Sequence, residues 1–387
     1  MAKKSKLIDE NEMFADLAKA TGGEVLGDLS RVAYYIDTGN LAVNYICSGK
    51  FITGGIPGGK ITESFGPEAS GKSLWGYRLI SSVQKMGGIG VILDCERAVN
   101  PDFARNIGQV DLGKTLVYCP PTFEQVERVV IRTVEAIRKQ KGPEVPIFIV
   151  WDSIGVTMCE REWGDVQKAA KDEENSKEQP GERAKKAGAL LRKLNPFLDE
   201  HRATMYVVNQ IRSKIGVMYG DPNTTAGGGK ALPFYASLRL QLAAQKKIED
   251  KTLKIPLGVN LKVMNKKNRS FVPFLSTEGV QLYFDKGINP IGGLLSVLVG
   301  AKRVTGTHGN YQVEEPWAAG RELKFKSSKE RNDVPADVLL ACPAVIDATS
   351  VEQVRDYLGA YAEAIGLSYS DEVEEVGVDD DVSHLIN

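Results

Sequence analysis

The sequence contains few cysteines and no long apolar run, and both absences restrict the class of protein. Its five cysteines are far apart among 387 residues and show no paired spacing typical of metal ligands. We therefore expect reduced, mostly buried thiols rather than a disulfide framework. No window approaches the roughly 18 uninterrupted apolar residues of a membrane span, and Lys3, Lys4 and Lys6 precede no apolar signal-peptide core. A soluble, cytoplasmic protein without a membrane partner is expected.

The chain also lacks an excess of charge of either sign. Its formal net charge is −1 and its hydrophobic content is 42%. A balanced total neither favours nor excludes nucleic acid as a partner, because the local distribution of charge decides binding. The length and apolar content are sufficient for one sizeable core with smaller appended modules.

The most informative motif is a glycine-rich octapeptide that satisfies every fixed position of a phosphate-binding P-loop. It consists of Gly66, Pro67, Glu68, Ala69, Ser70, Gly71, Lys72 and Ser73. The glycines allow a tight turn whose N–H groups point at phosphate oxygens, and the following helix adds its positive N-terminal end. Lys72 is expected to contact the β and γ phosphates, and Ser73 to offer its hydroxyl to Mg²⁺. The motif predicts that the chain binds a nucleoside triphosphate.

The surrounding pattern supports an α/β fold around this loop. Residues 60–65 alternate like a strand, and apolar residues between 74 and 86 recur at helical spacing. Residues 89–96 form an apolar run that ends in the carboxylates Asp94 and Glu96. A second apolar run ends at Asp152, which we expect to be the second Mg²⁺ ligand, on the strand adjacent to the P-loop strand. Fully apolar strands that end in carboxylates are typical of a mainly parallel sheet flanked by helices.

We expect four parts along the chain. They are an N-terminal helical segment (1–34), an ATPase core in which strands and helices alternate (35–285), a small α+β C-terminal domain (286–368) and an acidic, disordered tail (369–387). Capping-box patterns predict helices after Thr122 and Ser350. The densely charged residues 160–186 predict a surface loop. Residues 211–230 predict a long loop whose cations and glycines suit the phosphates of a polyanion.

Four segments resemble the bacterial RecA-type recombinases and, more loosely, their bacteriophage counterparts. They are residues 64–73, residues 93–105, residues 150–153 and, most specifically, residues 209–220, which read Asn-Gln-Ile-Arg-Ser-Lys-Ile-Gly-Val-Met-Tyr-Gly. The resemblance spans roughly residues 36–300 and continues through Thr224 to Gly228. It implies a RecA-like P-loop core, ATP and Mg²⁺ as cofactors, and DNA as the partner.

The resemblance implies roles for four residues around the nucleotide. Glu96 resembles the general base that activates water for attack on the γ-phosphate, with a structural salt bridge as the alternative. Phe103 occupies the position of a ring stacked on adenine, although it could be a core residue. Asn100 replaces the usual acidic residue beside it. Gln210 resembles the γ-phosphate sensor, with a local hydrogen bond at a strand end as the alternative.

The resemblance also implies DNA contacts that read no sequence. Residues 211–230 match the second DNA-binding loop of the family, where Arg212 and Lys214 would meet phosphates and Gly227 and Gly228 would offer backbone amides. Residues 160–181 fall where the first loop lies, but they are longer and more charged than usual. Single-stranded and double-stranded DNA are both expected partners.

Paired cations near the end of the core resemble those that cross to the nucleotide of a neighbouring protomer. Lys267 and Arg269 align best, and Lys266 could substitute. Their role implies helical filaments with ATP bound between subunits, whereas the alternative is an exposed basic strand end. The N-terminal helix would dock on the adjacent protomer.

These expectations favour a DNA recombinase that forms filaments on single-stranded DNA and catalyses strand exchange with DNA-stimulated ATP hydrolysis. A hexameric helicase shares the core fold, but the 209–220 segment argues against it. A non-catalytic mediator or DNA-binding paralogue is a third alternative. Intact Lys72, Ser73, Glu96 and Asp152 argue against that class.

Overall fold

The structure, a computed structural model, describes residues 10–26, 32–169, 181–213, 223–225, 229–250, 252–307, 309–327 and 332–365. The helices are α1 (Glu10–Thr21), α2 (Leu41–Ser48), α3 (Lys72–Lys85), α4 (Pro101–Asn106), α5 (Phe123–Lys141), α6 (Glu160–Ala169), α7 (Glu182–Glu200), α8 (Ala231–Tyr235), α9 (Leu294–Gly300), α10 (Ala336–Ala341) and α11 (Val351–Ile365). The strands are β1 (Tyr35–Ile36), β2 (Ile56–Pro57), β3 (Ile61–Gly66), β4 (Ile89–Asp94), β5 (Thr115–Tyr118), β6 (Ile147–Asp152), β7 (Ala203–Ser213), β8 (Asn223–Thr225), β9 (Leu238–Glu249), β10 (Pro256–Asn268), β11 (Ser276–Tyr283), β12 (Gly287–Ile288), β13 (Val304–Thr307), β14 (Asn310–Val313) and β15 (Lys324–Lys326).

One ten-stranded sheet organises the molecule. Nine strands follow the order β12-β11-β10-β9-β3-β7-β6-β4-β5, and β8 pairs with the end of β7. The six strands from β9 to β5 are parallel, whereas β10, β11 and β12 extend the sheet as an antiparallel meander. The α/β class with a mainly parallel sheet is confirmed. The alternation of strands and helices ends at α8, well before residue 285, where the alternating core was expected to end.

The strand order corrects the predicted position of Asp152. That residue ends β6, which is separated from the P-loop strand β3 by β7. Strand order depends on long-range pairing, so the hydrophobic pattern of β6 could not reveal this insertion.

Apolar residues cover both faces of the sheet, as the fully apolar strand sequences require. Along β6, Phe148 and Val150 belong to the core under α3, whereas Ile149 and Trp151 belong to the core under α5 and α7. This alternation follows the two-residue period of a strand. The α3 core continues into the C-terminal segment through buried residues such as Leu339, and a domain boundary near residue 285 stays a prediction.

Both predicted capping boxes begin helices. The Thr122 side chain accepts from the Gln125 N–H at 3.2 Å ahead of α5, and the Gln353 N–H donates to Ser350 Oγ at 3.2 Å ahead of α11. Gly142 ends α5 with a positive φ of 85°. These local signals were sufficient because each cap satisfies an N–H group that the helix itself leaves unpaired.

The predicted surface loop at 160–186 is wrong where the structure describes it. Residues 160–169 form α6 and residues from Glu182 onwards form α7, while 170–180 lie outside the described residues. The charges pair rather than only being solvated: Arg161 lies 3.5 Å from Asp165 one turn along α6 and 2.6 Å from Glu182 of α7. Charges at helical spacing stabilise the helix that carries them.

The predicted loop at 211–230 is also partly ordered as a strand. Strand β7 continues to Ser213, and residues 211–213 pair antiparallel with β8. Residues 214–222 and 226–228 lie outside the described residues.

The two ends of the described chain are helical. Helix α1 exposes Met13, Phe14 and Leu17, an apolar face that none of the described residues covers. After α9, strands β13, β14 and β15 form a small antiparallel sheet, so the C-terminal segment has the expected α+β content. None of the described helices has the length and apolar character needed to cross a membrane.

Candidate active site

The loop between β3 and α3 requires glycine at both ends. A Cβ at Gly66 would lie 2.1 Å from the Leu242 carbonyl oxygen, and a Cβ at Gly71 would lie 2.7 Å from Leu282 Cδ1. Gly71 also has a φ of 81°, and Ala69 between them has a φ of 55°. No side chain caps the N-terminus of α3. Its first N–H groups therefore have no side-chain acceptor, which is the arrangement that binds phosphate oxygens.

Lys72 lies along this loop with most of its surface buried. Its Nζ donates to the carbonyl oxygens of Gly66 at 3.1 Å and Pro67 at 2.5 Å, and to Ser70 Oγ at 3.3 Å. Burial lowers the pKa of Lys72, while the charges of Asp152, Glu96 and Glu68 oppose that shift. The ammonium group is thus held by neutral oxygens that phosphate oxygens could replace.

Ser73 and Asp152 meet beside the loop. Ser73 Oγ donates to Asp152 Oδ2 at 2.5 Å. Burial raises the pKa of Asp152 to about 6; the Ser73 hydrogen bond lowers it, and the nearby carboxylates of Glu96 and Asp94 raise it further. A hydroxyl and a desolvated carboxylate are hard oxygen ligands suited to Mg²⁺.

Asp94 is a neighbour of this pair that sequence reasoning left without a role. It lies in register with Asp152 across β4 and β6. Its carboxylate accepts from the N–H groups of Ala98 at 3.0 Å and Val99 at 3.1 Å. Asp94 therefore fixes the turn that carries Glu96. The signal for it was in the sequence, because two parallel strands that both end in Asp bring those residues to one edge.

The residues present fit a divalent cation only with help from a ligand. Among the described residues, no group of three or more His, Cys, Asp or Glu side chains is placed to hold a metal ion. Ser73 and Asp152 provide two oxygens, and the remaining ones would come from nucleotide phosphates and water, as is usual for Mg²⁺.

Glu96 follows the end of β4 and is exposed at the same edge. Its Oε1 accepts from Ser153 Oγ at 2.5 Å. The peptide N–H of Cys95 donates to the Asp152 carbonyl oxygen at 2.8 Å, which joins the segment of Glu96 to the end of β6. Ser153 belongs to the 150–153 segment of the resemblance, but the sequence analysis assigned it no role.

Helix α4 lies beside this edge and contains the predicted adenine contacts. Asn100 caps α4 by accepting from the Phe103 N–H at 3.0 Å. Phe103 is 37% exposed and its ring lies edge-on to Tyr77 of α3 at 6.3 Å. The exposure leaves a ring face accessible, and adenine stacking stays a prediction. Asn100 has a structural role as a cap, whatever it contributes to a nucleotide.

Gln210 lies in register with Gly66, at the start of the P-loop, and its N–H donates to Asn209 Oδ1 at 3.0 Å. Behind it is a buried polar cluster that sequence reasoning missed. Glu63 is fully buried and accepts from Asn209 Nδ2 at 3.0 Å and from Arg239 Nε. Arg239 also lies over the ring of Phe65 at 4.6 Å. This cluster fixes β3, β7 and β9 relative to one another next to the loop.

Lys267 and Arg269 do not meet the P-loop of their own chain. Lys267 pairs in register with Arg239, and the Arg269 N–H donates to the Ser237 carbonyl oxygen next to the first residue of β3. Arg239 in turn pairs with Glu63, so Lys267 lies level with the third residue of β3, roughly 10 Å along the strand from the P-loop, and Arg269 lies near its first residue. Burial, then the charges of Arg269 and Arg239, lowers the pKa of Lys267 to about 8.

Both cations point to the segment that follows the long predicted DNA loop. Lys267 Nζ donates to the carbonyl oxygens of Pro233 and Phe234, each at 2.8 Å, and Arg269 donates to Phe234 at 3.0 Å. Of the predicted DNA contacts, Arg212 lies on β7. Lys214, Gly227 and Gly228 lie outside the described residues.

Comparison with known proteins gives a consistent result. The family model for the RecA N-terminal domain matches residues 19–289. The chain is 32% identical over 338 residues to Protein RecA of Thermus aquaticus, which covers 85% of this chain and 92% of the relative. It is 34% identical over 309 residues to Protein RecA of Chlorobaculum tepidum, with 79% and 82% covered. Protein RecA of Mycoplasma mycoides subsp. mycoides is 33% identical over 284 residues, with 71% and 76% covered.

Proposed function

The chain belongs to the RecA family of recombinases, and on that premise we propose that it is a DNA-stimulated ATPase that assembles on single-stranded DNA and exchanges homologous strands. The observation that carries the proposal is the contact of Ser73 with Asp152 beside the glycine loop and Lys72. These residues suit a nucleotide with Mg²⁺, and Glu96 at the same edge adds the base that a mediator without hydrolysis would not need. The helicase alternative is not favoured by the family match.

The chemistry of the loop supports ATP binding. The uncapped N-terminus of α3 and the glycine backbone would hold the phosphates, and Lys72 would exchange its carbonyl partners for β and γ oxygens. Ser73 and Asp152 would hold Mg²⁺, which neutralises charge on the phosphates. Phe103 offers its exposed ring to the base.

Hydrolysis requires a base that can orient water, and Glu96 is the candidate. The Glu96 carboxylate is exposed at the edge of the sheet where β4 and β6 end. Ser153 donates to its Oε1, so Oε2 takes no part in that hydrogen bond. Glu96 would accept a proton from the attacking water while Lys72 stabilises charge on the γ-phosphate. Gln210, level with the start of the P-loop on the adjacent strand, would report the γ-phosphate to residues 211–230.

Lys267 and Arg269 would complete the site of a neighbouring protomer. Both cations lie toward the start of β3 and contact the segment before β9 instead of their own P-loop, which supports a role at another subunit. Cations supplied in trans stabilise the transition state of phosphoryl transfer as arginine fingers do. Assembly and hydrolysis would then depend on each other, and the exposed face of α1 would dock on the adjacent protomer.

DNA binding through residues 211–230 would read no sequence. Arg212, Lys214, Gly227 and Gly228 offer charges and amides suited to phosphates, so specificity would come from base pairing between the strands. Both single-stranded and double-stranded DNA would bind in a salt-dependent way.

ATP hydrolysis by the full chain, with and without single-stranded DNA and at two salt concentrations, tests the proposal. We expect DNA to stimulate hydrolysis, more strongly at low salt. Lys72→Ala should remove the activity, and Glu96→Gln should lower it by about 100-fold or more. Glu322→Gln, which breaks an exposed ion pair with Lys324, is the matched control and should match the parent. Absence of hydrolysis with and without DNA would instead favour the mediator.

A further inference from the structure

Arg183 makes two contacts that link helix α7 to the turn after β6, next to Asp152. It lies in the first turn of α7, and its Nη2 donates to the carbonyl oxygens of Gly155 at 2.8 Å and Thr157 at 2.7 Å. Both carbonyls belong to residues 153–157, the turn that directly follows Asp152. Glu162 of α6 also lies 3.7 Å from the guanidinium group. One arginine therefore holds this turn from outside the sheet.

The same turn carries the serine that contacts Glu96. Ser153 is fully buried, and its Oγ donates to Glu96 Oε1 at 2.5 Å. Thr157 Oγ donates to the Ser153 carbonyl oxygen at 3.0 Å and accepts from Trp151 Nε1 at 3.0 Å. Hydrogen bonds to the backbone and side chains of Thr157 and Ser153 thus connect Arg183 indirectly with Glu96.

Arg183 is not needed merely to join α6 to α7. Arg161 already bridges those helices through Glu182 at 2.6 Å. Arg183 instead directs two donor bonds at backbone oxygens, and a charged donor on a carbonyl holds it more firmly than a neutral one does.

We propose that Arg183 is a positioning residue for ATP hydrolysis, which fixes the 153–157 turn so that Ser153 orients the Glu96 carboxylate. The inference rests on the proposed function, because it assumes that Glu96 is the general base. The orientation of that base then depends on where the first turn of α7 lies. Because Arg183 would act on the orientation of Glu96 and does not contact ATP, its loss is expected to lower kcat more than it changes the KM for ATP.

A double-mutant cycle on the full chain tests the inference. Arg183→Ala and Ser153→Ala are each expected to lower kcat at saturating single-stranded DNA by about 10-fold. The KM for ATP and the Kd for DNA should stay within about twofold of the parent. The double variant should be no slower than the slower single variant, because both changes interrupt one series of contacts. Arg183→Lys, whose ammonium can donate to both carbonyls, should retain at least about half of kcat.

Arg128→Ala is the matched control, because Arg128 pairs with Glu160 of α6 at 3.4 Å, an exposed pair outside the Arg183 series. It should leave kcat unchanged, and thermal melts of all variants monitor folding. The inference is overturned if the two single effects multiply to about 100-fold, if Arg183→Lys is as slow as Arg183→Ala, or if only the Kd for DNA changes. Full hydrolysis by Glu96→Gln is a separate failure, which would remove the proposed base itself.

Discussion

The buried ion pair behind the P-loop gives a prediction whose magnitude follows from its burial. Glu63 is fully buried, and Arg239 supplies its charged partner. Arg239→Met would leave the carboxylate with the Asn209 amide at 3.0 Å and an uncompensated charge. We expect the free energy of unfolding to fall by about 3–5 kcal/mol, the usual cost of removing one member of a buried pair. Urea unfolding, followed by tryptophan fluorescence and far-UV circular dichroism, measures it.

Two further variants separate charge burial from lost packing. Glu63→Gln combined with Arg239→Met removes the buried charge while keeping an oxygen for Asn209, so it should recover about 2 kcal/mol relative to Arg239→Met alone. Lys262→Met breaks the exposed pair with Glu278 on the same sheet and should cost at most about 1 kcal/mol. A loss below about 1 kcal/mol in Arg239→Met, or no recovery in the double variant, would refute the reasoning.

Three other predictions concern the site and its assembly. The pKa of Asp152 is raised from 3.8 to about 6, so the folded state holds this proton more tightly than the unfolded chain does. The free energy of unfolding without metal or nucleotide should therefore fall as pH rises from 4 to 6. Asp152→Asn should flatten this part of a series of unfolding measurements at different pH, and an unchanged slope would contradict the shift. Equal mixing of the inactive Lys72→Ala and Arg269→Ala proteins should restore about a quarter of the DNA-stimulated hydrolysis of the parent. In a random assembly about one contact in four joins the intact loop of an Arg269→Ala subunit to the intact cation of a Lys72→Ala subunit. No recovery in an ATPase assay would argue against catalysis in trans. Phe14→Asp, on the exposed face of α1, should prevent self-association as measured by sedimentation velocity. Lys19→Ala on the same helix should not. Equal behaviour of the two variants would exclude this face as a docking surface between protomers.

The sequence was most informative where the chemistry is local. The P-loop requires glycine for reasons of backbone geometry, and Lys72 and Ser73 follow within the same motif. Asp152 and Glu96 could be placed at one edge because parallel strands end there together. Whether β6 lies beside β3 could not be read, because the insertion of β7 depends on pairing between distant segments.

Other features were missed although part of the signal was present. Pro101 at the first position of α4 marks Asn100 as its cap, which accounts for an amide there without reference to a nucleotide. Arg161 and Asp165 are four residues apart, a helical spacing, but their third partner, Glu182, comes from another helix. The buried cluster of Glu63 with Arg239 joins strands that are far apart in the sequence, so composition alone could not reveal it.

The separation of the paired cations from the P-loop of the same chain has a consequence for growth. If each cation pair meets the loop of the next subunit, every assembly has one terminal subunit with an unmatched loop and another with unmatched cations. The two ends are then chemically different, and elongation has a direction. A subunit that lacks Lys267 and Arg269 but keeps its loop could form a complete site only at the end with unmatched cations. Once there it would offer no cations to the next subunit, so it would terminate growth at that end.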